Sequence, residues 1–239
     1  MAYRDGRNSP FRRLLYIQIR GHRALKRDGV LFLIKKLVRK IKYLTFRTTC
    51  SIWFCKSLNE PVDSITAQLD IDIKFLVEDK SRLINWLRER NERFPWMYKS
   101  KEIELAETDK HIYVSILHNS DIIGYIKVGI NNVYIHDFDK IVFFPKDSAF
   151  IYDTFILPEY RGNKIALYAL SKTIHFLNKA GFQRLWCHIE KWNIASLKTF
   201  QKAGFTPKGS IRFSRVLGLP FFVKDGYMPL ITLNTFIRE

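Results

Sequence analysis

The feature that most constrains the fold of this chain is a segment that passes from a strand pattern through a tight turn into a helix. The extended run ends at Pro158, which cannot donate a hydrogen bond in a strand ladder. Gly162 follows and can adopt backbone angles that other residues avoid. A helix is then predicted over 162–180, and Gly181 is well placed as its C-cap. Its apolar side falls at Ile165, Ala169, Thr173, Phe176, Leu177 and Ala180.

The turn itself has the chemistry of an anion site. The first backbone N–H groups of a helix have no partner within the helix, and they lie at the positive end of its dipole. A phosphate or pyrophosphate suits such a place. Many helices begin after a glycine and bind nothing, so this pattern alone leaves both interpretations open.

A second unit follows about thirty residues later. A strand is predicted over 184–189 and a helix over 194–203. Asn193 is a natural N-cap, with Ser196 three residues on, and Gly204 ends the helix. Its short apolar face consists of Leu197, Phe200 and Ala203. The pattern predicts strand, helix and strand packed beside the first unit.

The remainder of the chain from residue 65 shows mixed α and β patterns. Asn119-Ser120-Asp121 lies between two apolar alternations and predicts a hairpin. A further helix is predicted over 80–91. The other predicted strands are 69–76, 112–117, 122–129, 141–144, 150–157, 205–213, 220–223 and a stretch near 230–236.

The charge of the chain is concentrated at its start. Residues 1–60 hold 15 Lys and Arg against three acidic residues, whereas the rest holds 25 against 20. Apolar residues at 30, 34, 37, 38, 41 and 44 share one helical face, and lysines occupy much of the remainder. A strand is predicted over 48–54, and Asn59-Glu60-Pro61 is typical of a linker. We therefore expect a basic helical extension over 1–60, ending in a strand, and a main domain over 61–239.

Three roles fit the basic extension. Residues 11–47 can lie on an anionic membrane surface, meet the phosphates of nucleic acid, or pack against the main domain with their charges solvated. Aromatic residues such as Phe32 and Trp53 favour a membrane over nucleic acid, because they form no recognisable stacking motif. The three cysteines form neither a disulfide framework nor a paired metal motif. We expect no metal, and a cytoplasmic protein that is peripheral at the inner membrane face if the extension binds lipid.

Two motifs together resemble those of a known family. F-I-L-P-E-Y-R-G-N-K-I-A, from residue 155, and N-I-A-S-L-K-T-F-Q-K-A-G-F, from residue 193, resemble the GNAT superfamily of N-acetyltransferases. The resemblance covers residues 65–239, with its specific motifs in 150–205. It implies an α/β (α+β) fold with a mixed, mainly antiparallel central sheet flanked by helices. It also implies transfer of an acetyl or other short acyl group from acyl-CoA to a primary amine on a small molecule or glycan precursor.

The resemblance also implies cofactor positions. The family's phosphate turn, Arg/Gln-x-x-Gly-x-Gly/Ala, falls on residues 161–166, and Lys164 stands where a glycine is usual. The pantetheine arm of acyl-CoA would run along the end of the preceding strand, where a bulge would separate it from strand 184–189. The implied cofactor-binding residues are Phe155, Ile156, Leu157, Arg161, Gly162, Asn163, Lys164, Ile165, Ala166, Asn193 and Ser196.

The resemblance also implies catalytic residues. Asp153 matches a strand position where many relatives keep a carboxylate that accepts the amine proton, and Glu190 and His188 are second choices. The family's usual tyrosine acid corresponds to Phe200, which cannot donate; Tyr168 and Tyr227 are substitutes. Two alternatives therefore stay open: a CoA-binding module without catalysis, and transfer of longer acyl chains from acyl carrier protein. The resemblance fits a monomer or a dimer, and it implies an amine acceptor held near 80–101 and 210–227.

Overall fold

The computed structural model describes residues 46–60, 65–77, 79–108, 111–135, 140–216 and 219–226. The predicted helix over 30–44 and the strand near 230–236 lie outside these residues. The chain divides into a larger unit, residues 49–212 and 223–239, and a smaller one, residues 1–48 and 213–222. In the described part of the smaller unit, the hydroxyl oxygens of Thr48 and Ser214 lie 3.2 Å apart.

Ten strands and four α-helices make up the described residues. The strands are β1 (Phe46–Ser57), β2 (Asp72–Leu76), β3 (Ile112–His118), β4 (Asp121–Ile130), β5 (Asn132–Ile135), β6 (Lys140–Phe143), β7 (Ser148–Ile156), β8 (Arg184–Glu190), β9 (Thr206–Val216) and β10 (Leu219–Gly226). The helices are α1 (Ser81–Glu89), α2 (Ser100–Thr108), α3 (Ile165–Lys179) and α4 (Ile194–Lys202).

Eight strands form one sheet, in the order β10-β9-β1-β8-β7-β4-β3-β2, and β5 and β6 form a separate pair. Strand β7 pairs with β8 in parallel, whereas β1–β8, β2–β3, β3–β4 and β4–β7 are antiparallel. The expected mixed, mainly antiparallel sheet flanked by helices is therefore confirmed.

Two elements and one placement differ from the sequence-based expectation. Helix α2 and strand β5 were not predicted, because the first has a weak apolar face and the second is only four residues long. Strand β1, assigned to the N-terminal extension, lies in the sheet beside β8, with Ser51 opposite Glu190. The physical reason is visible in its sequence: Trp53, Phe54 and Cys55 are all buried in succession, as in a strand covered on both faces.

The register of the sheet determines which residues share a face. Side chains alternate along β4, so Tyr125 and Lys127 lie on one face and Ile126 on the other. On the first face, α1 places the ring of Trp86 edge-on to Tyr125 at 6.3 Å. Among the described residues, no helix is both long and apolar enough to cross a membrane.

Candidate active site

The most distinctive feature of the sheet is a separation between β7 and β8. In the described residues their ladder runs from Ser148–Arg184 to Ile151–Cys187, although β7 continues for five more residues. At the same level Lys127 pairs with Asp153 and Val128 with Ile151, so Tyr152 is an extra residue in β7. Such a bulge bends its strand and increases the local twist. The bulge that the sequence suggested near 155–157 thus occurs at Tyr152, and a slot opens beyond it.

One backbone segment faces this slot. The N–H of Leu157 donates to the carbonyl of Ile123 at 2.9 Å, on the β4 side. Because successive residues of a strand direct their backbone groups to opposite sides, those of Ile156 point away from β4. The Nε of Arg161 donates to the Ile156 carbonyl at 3.0 Å, in agreement. Of the three residues suggested for pantetheine, Ile156 is thus the one whose backbone faces the slot.

The turn after β7 has the geometry that a phosphate site requires. A short 3-10 turn, Pro158–Tyr160, leads to Gly162 at φ 91° and to Lys164 at φ 58°, ψ 12°, the N-cap of α3. The first bond of α3 is donated by the N–H of Tyr168 to the Lys164 carbonyl at 2.9 Å. The three preceding N–H groups, of residues 165–167, therefore have no partner within the helix.

The backbone at Lys164 is left-handed, a conformation that glycine adopts without strain. A non-glycine residue adopts this conformation at a cost of about 1–2 kcal/mol. The surrounding turn holds it in place: the Asn163 carbonyl accepts from the N–H of Gln68 at 3.2 Å, and the Asn163 amide donates to the Tyr160 carbonyl. Lysine at this position thus changes the charge of the turn and keeps its geometry.

The residues of the turn fit a pyrophosphate. Arg161 and Lys164 are exposed and cationic, and both flank the positive end of α3. A Cβ built on Gly162 meets no atom within 4 Å, so the space beside the turn is open. A doubly charged anion needs open space, nearby cations and N–H groups that are free to donate to it. The turn offers space, two cations and three N–H groups without a partner in the helix.

The second predicted unit also forms as expected. The Asn193 Oδ1 accepts from the N–H of Ser196 at 3.2 Å, so Asn193 is the N-cap of α4. Helix α4 packs against α3. Phe200 is buried and meets Phe205 edge-to-face at 5.1 Å, which places its ring in the core.

Asp153 lies in a group of charged side chains that sequence reasoning missed. Its Oδ2 accepts from the Tyr125 hydroxyl at 2.8 Å and lies 3.3 Å from the Lys127 ammonium. Lys127 also donates to Glu102 Oε1 at 2.7 Å and to the Met97 carbonyl at 2.9 Å. We call Glu102, Lys127 and Asp153 the charge cluster. The signal for it was a lone lysine within the apolar run of β4, because a buried ammonium requires a carboxylate partner.

Burial and charge compete within the charge cluster. Burial alone would lower the pKa of Lys127, but the neighbouring Asp153 and Glu102 carboxylates raise it above its usual value. Burial raises the pKa of Glu102, against the opposing effect of Lys127. Burial, reinforced by the Asp153 carboxylate, raises the pKa of Tyr125 well above the ordinary value. Lys127 is therefore an ammonium and Tyr125 a neutral phenol that donates to Asp153.

The other catalytic candidates lie elsewhere. Glu190 ends β8, half-buried and opposite Ser51. The His188 ring stacks on Phe150 at 5.6 Å, which marks it as a packed side chain. Tyr168 is half-buried on α3, and Tyr227 lies outside the described residues. Among the described residues, no group of three His, Cys, Asp or Glu side chains could hold a metal ion.

A groove of about 510 Å³ lies on the α1 side of the sheet. It follows α1 and the adjoining ends of β4 and β7, reaching the short turn before Arg161. Its lining residues are Arg82, Asn85, Trp86, Glu89, Arg90, Asp121, Ile122, Ile123, Leu157, Glu159 and Tyr160. One end of the region where an acceptor was expected, 80–101, thus borders an open groove.

The family profile described as "Acetyltransferase (GNAT) family" matches residues 80–205. No curated protein sequence matches the chain. Among solved structures, an aminoglycoside acetyltransferase from an uncultured soil metagenomic sample, in complex with trehalose, is 16% identical with a TM-score of 0.42. That match covers 56% of this chain and 86% of the other.

A GCN5-related N-acetyltransferase from Sphaerobacter thermophilus is 14% identical with a TM-score of 0.48. The match covers 77% of this chain and 58% of that protein, so this chain spans less than two thirds of its length. A glucosamine N-acetyltransferase region in a fungal multi-domain GH3 β-N-acetylglucosaminidase is 16% identical with a TM-score of 0.48, over 78% of this chain and 23% of the other.

Proposed function

Because this chain belongs to the acetyltransferase (GNAT) family, we propose that it transfers an acetyl or other short acyl group from acyl-CoA to a primary amine on a small molecule or glycan precursor. The observation that carries the proposal is the slot between β7 and β8, which leads to the turn before α3. A slot lined by strand backbone and closed by a helix N-terminus suits a molecule with an amide-bearing arm and a pyrophosphate.

In this proposal the cofactor is held mainly by backbone groups. The N–H groups of residues 165–167, with Arg161 and Lys164 beside them, bind the pyrophosphate. The amides of the pantetheine arm pair with the backbone of Ile156 in place of the Arg161 side chain. Asn193 and Ser196, at the start of α4, contact the pantetheine or phosphate side of the cofactor in this proposal. Phe155 and Leu157, whose side chains are buried, supply apolar contacts in this proposal.

The acceptor must arrive as a free amine, because an ammonium has no lone pair. Asp153 is the proposed base: its side chain is 24% exposed, and its contacts with Tyr125 and Lys127 both use Oδ2. The amine nitrogen forms a bond to the acyl carbon, the carbon–sulfur bond breaks, and the amine proton passes to Asp153 directly or through water. The CoA thiol has a pKa near that of a cysteine thiol, about 8.5, or above, and its thiolate leaves without an acid. Glu190 is the second candidate for the base.

A second function, binding of CoA without catalysis, is favoured by Phe200. This residue occupies the family's usual tyrosine position and lies in the core, so it cannot protonate a leaving group. Transfer of longer acyl chains from acyl carrier protein stays a further alternative. Contact of residues 11–47 with an anionic membrane, a cytoplasmic location and a monomeric or dimeric state also stay proposals.

The cofactor site is tested by isothermal titration with acetyl-CoA and with CoA. We expect Gly162→Val to lower the affinity at least about tenfold, because valine at φ 91° distorts the turn. Gly181→Val is the matched control: Gly181 has φ 88°, also faces open space, and lies at the other end of α3. Equal losses in both variants, or no binding by the unchanged protein, would refute the site.

Catalysis is tested by release of CoA from acetyl-CoA in the presence of primary amines, amino sugars included. We expect turnover that Asp153→Asn lowers at least about a hundredfold, in line with the loss of a general base. Binding of acetyl-CoA without turnover by any amine would favour the non-catalytic module. If Asp153→Asn retains turnover and Glu190→Gln loses it, the general base is Glu190.

A further inference from the structure

The charge cluster holds one more carboxylate than cation. Glu102 and Lys127 are 7% and 0% exposed in their side chains, and Asp153 is 24% exposed. We propose that Glu102 and Lys127 are positioning residues that set the basicity of Asp153 in opposite directions: Lys127 holds it ionised, and Glu102 enables it to take up the acceptor's proton. The inference rests on the proposed function only for the origin of that proton.

Lys127 acts through Asp153 because its ammonium is fully buried and already has partners. It donates hydrogen bonds to Glu102 Oε1 at 2.7 Å and to the Met97 carbonyl at 2.9 Å, and it forms an ion pair with Asp153 Oδ2 at 3.3 Å. A fully buried ammonium with these partners does not turn towards a substrate. The proton exchanged with solvent or substrate therefore enters the charge cluster at Asp153, its most exposed member.

Glu102 determines whether the charge cluster becomes neutral or positively charged when Asp153 takes up a proton. With both carboxylates ionised, the charge cluster carries one negative charge in a mostly buried place, which is costly. Uptake of one proton makes it neutral. Without Glu102, Asp153 and Lys127 would form a neutral pair already, and a proton arriving at Asp153 would leave a buried positive charge. Glu102 therefore favours proton transfer to Asp153.

Other titratable groups around the charge cluster do not compete for this proton near neutral pH. Burial raises the pKa of Tyr113, on β3, to about 12. Burial also raises the pKa of Tyr125, on β4, and of Tyr152, on β7, well above the ordinary value. The phenols thus stay neutral. Before α2, Lys99 lowers the pKa of Glu102 slightly, and before α1 the Lys80 ammonium lies 6.0 Å from the Tyr113 ring.

Protons and charges balance in the transfer step. The acceptor arrives as a free amine, its nitrogen bonds to the acyl carbon, the carbon–sulfur bond breaks to release the CoA thiolate, and one proton of the amine passes to Asp153, whose ion pair with Lys127 is thereby weakened. Lys127 keeps its bond to Glu102 Oε1, so no buried charge is left without a partner. After product release, the proton leaves Asp153 to solvent through its exposed side.

The test is a carbon-13 NMR titration of the side-chain carboxyl groups in the full chain, which needs no acceptor. We expect Glu102→Gln, which keeps the shape of the side chain, to lower the titration midpoint of Asp153 by about one pH unit or more, because it removes a nearby negative charge. Lys127→Met should raise that midpoint. Glu107→Gln, which removes an exposed carboxylate from the same helix α2, should leave it unchanged.

Shifts in the same direction for Glu102→Gln and Lys127→Met, or a shift as large for Glu107→Gln, would overturn the inference. If Lys127→Met does not fold, Lys127→Arg replaces it: a midpoint close to that of the unchanged protein is expected, because the cation is kept. The proposed function fails separately, through the turnover of Asp153→Asn. Where an amine is turned over, the acidic limb of kcat/KM should follow the same shifts as the NMR midpoints.

Discussion

The turn before α3 follows β7, and β7 also carries Asp153 of the charge cluster, yet the two regions are held in place by different means. The turn is a local structure: Gly162 and Lys164 adopt left-handed backbone angles, and backbone groups do the proposed binding. The charge cluster joins β4, β7 and α2 through contacts between side chains, and Lys127 also donates to the backbone carbonyl of Met97 in the segment before α2. A site made of backbone tolerates changes of side chain, whereas a site made of buried charges does not.

This contrast has an energetic reason. An exposed turn leaves its polar groups in contact with water, so losing one contact costs little. A buried ion pair that loses one partner leaves an uncompensated charge in a place with little water, which costs far more. The two regions should therefore differ severalfold in their response to single substitutions.

The largest effect is expected for Lys127→Met. The substitution leaves Glu102 and Asp153 facing each other without a cation, and we expect a loss of about 3–5 kcal/mol in the free energy of unfolding. Urea denaturation measures it. Lys172→Met, on the exposed side of α3, is the control and should change stability by less than about 0.5 kcal/mol.

A double-mutant cycle sharpens this prediction. Glu102→Gln combined with Lys127→Met should cost less than the sum of the two single changes, because the second substitution removes the charge that the first left unpaired. Strict additivity would mean that Glu102 and Lys127 stabilise the fold independently, and the charge cluster would not be a unit.

The same contrast explains what the sequence could and could not predict. The strand, turn and helix around Gly162 follow from proline, glycine and apolar spacing within thirty residues, so each signal was local. The N-cap at Asn193 was predictable for the same reason. Lys127, Glu102 and Asp153 are up to 51 positions apart in the chain, and only the register of β4 against β7 brings two of them together.

The placement of β1 in the sheet was missed, and the bulge was expected near 155–157 although it occurs at Tyr152, for a related reason. Whether a strand belongs to the central sheet depends on which elements pair with it and cover its two faces. The pattern of apolar residues within the strand does not identify those elements. Likewise, a bulge is a mismatch between two strands, visible only when both are paired. Phe200 shows the reverse: its apolar character already indicated a core position, which the structure confirms.

A medium effect is expected at Asn193, the N-cap of α4. Asn193→Ala removes the acceptor of the Ser196 N–H and should cost about 1 kcal/mol of stability. Asn193→Asp keeps that acceptor and should retain stability, but its added negative charge should weaken acetyl-CoA binding. Thermal unfolding and titration calorimetry separate the two. Parallel losses in both measurements would show that the cap and the cofactor contact are one function.

The smallest effect is expected for Lys164→Gly. Glycine relieves a left-handed conformation that costs about 1–2 kcal/mol, but its greater freedom in the unfolded chain offsets about 0.4–1 kcal/mol, so stability should rise by a few tenths to about 1 kcal/mol. Asn131→Gly, at φ 60° in another turn, is the control and should gain less stability, because asparagine tolerates this conformation.

The acetyl-CoA affinity of Lys164→Gly should fall about threefold at most, since the backbone N–H groups remain. A loss as large as that of Gly162→Val would mean that the Lys164 ammonium, and not the backbone of the turn, holds the pyrophosphate, and the distinction between the two regions would then fail.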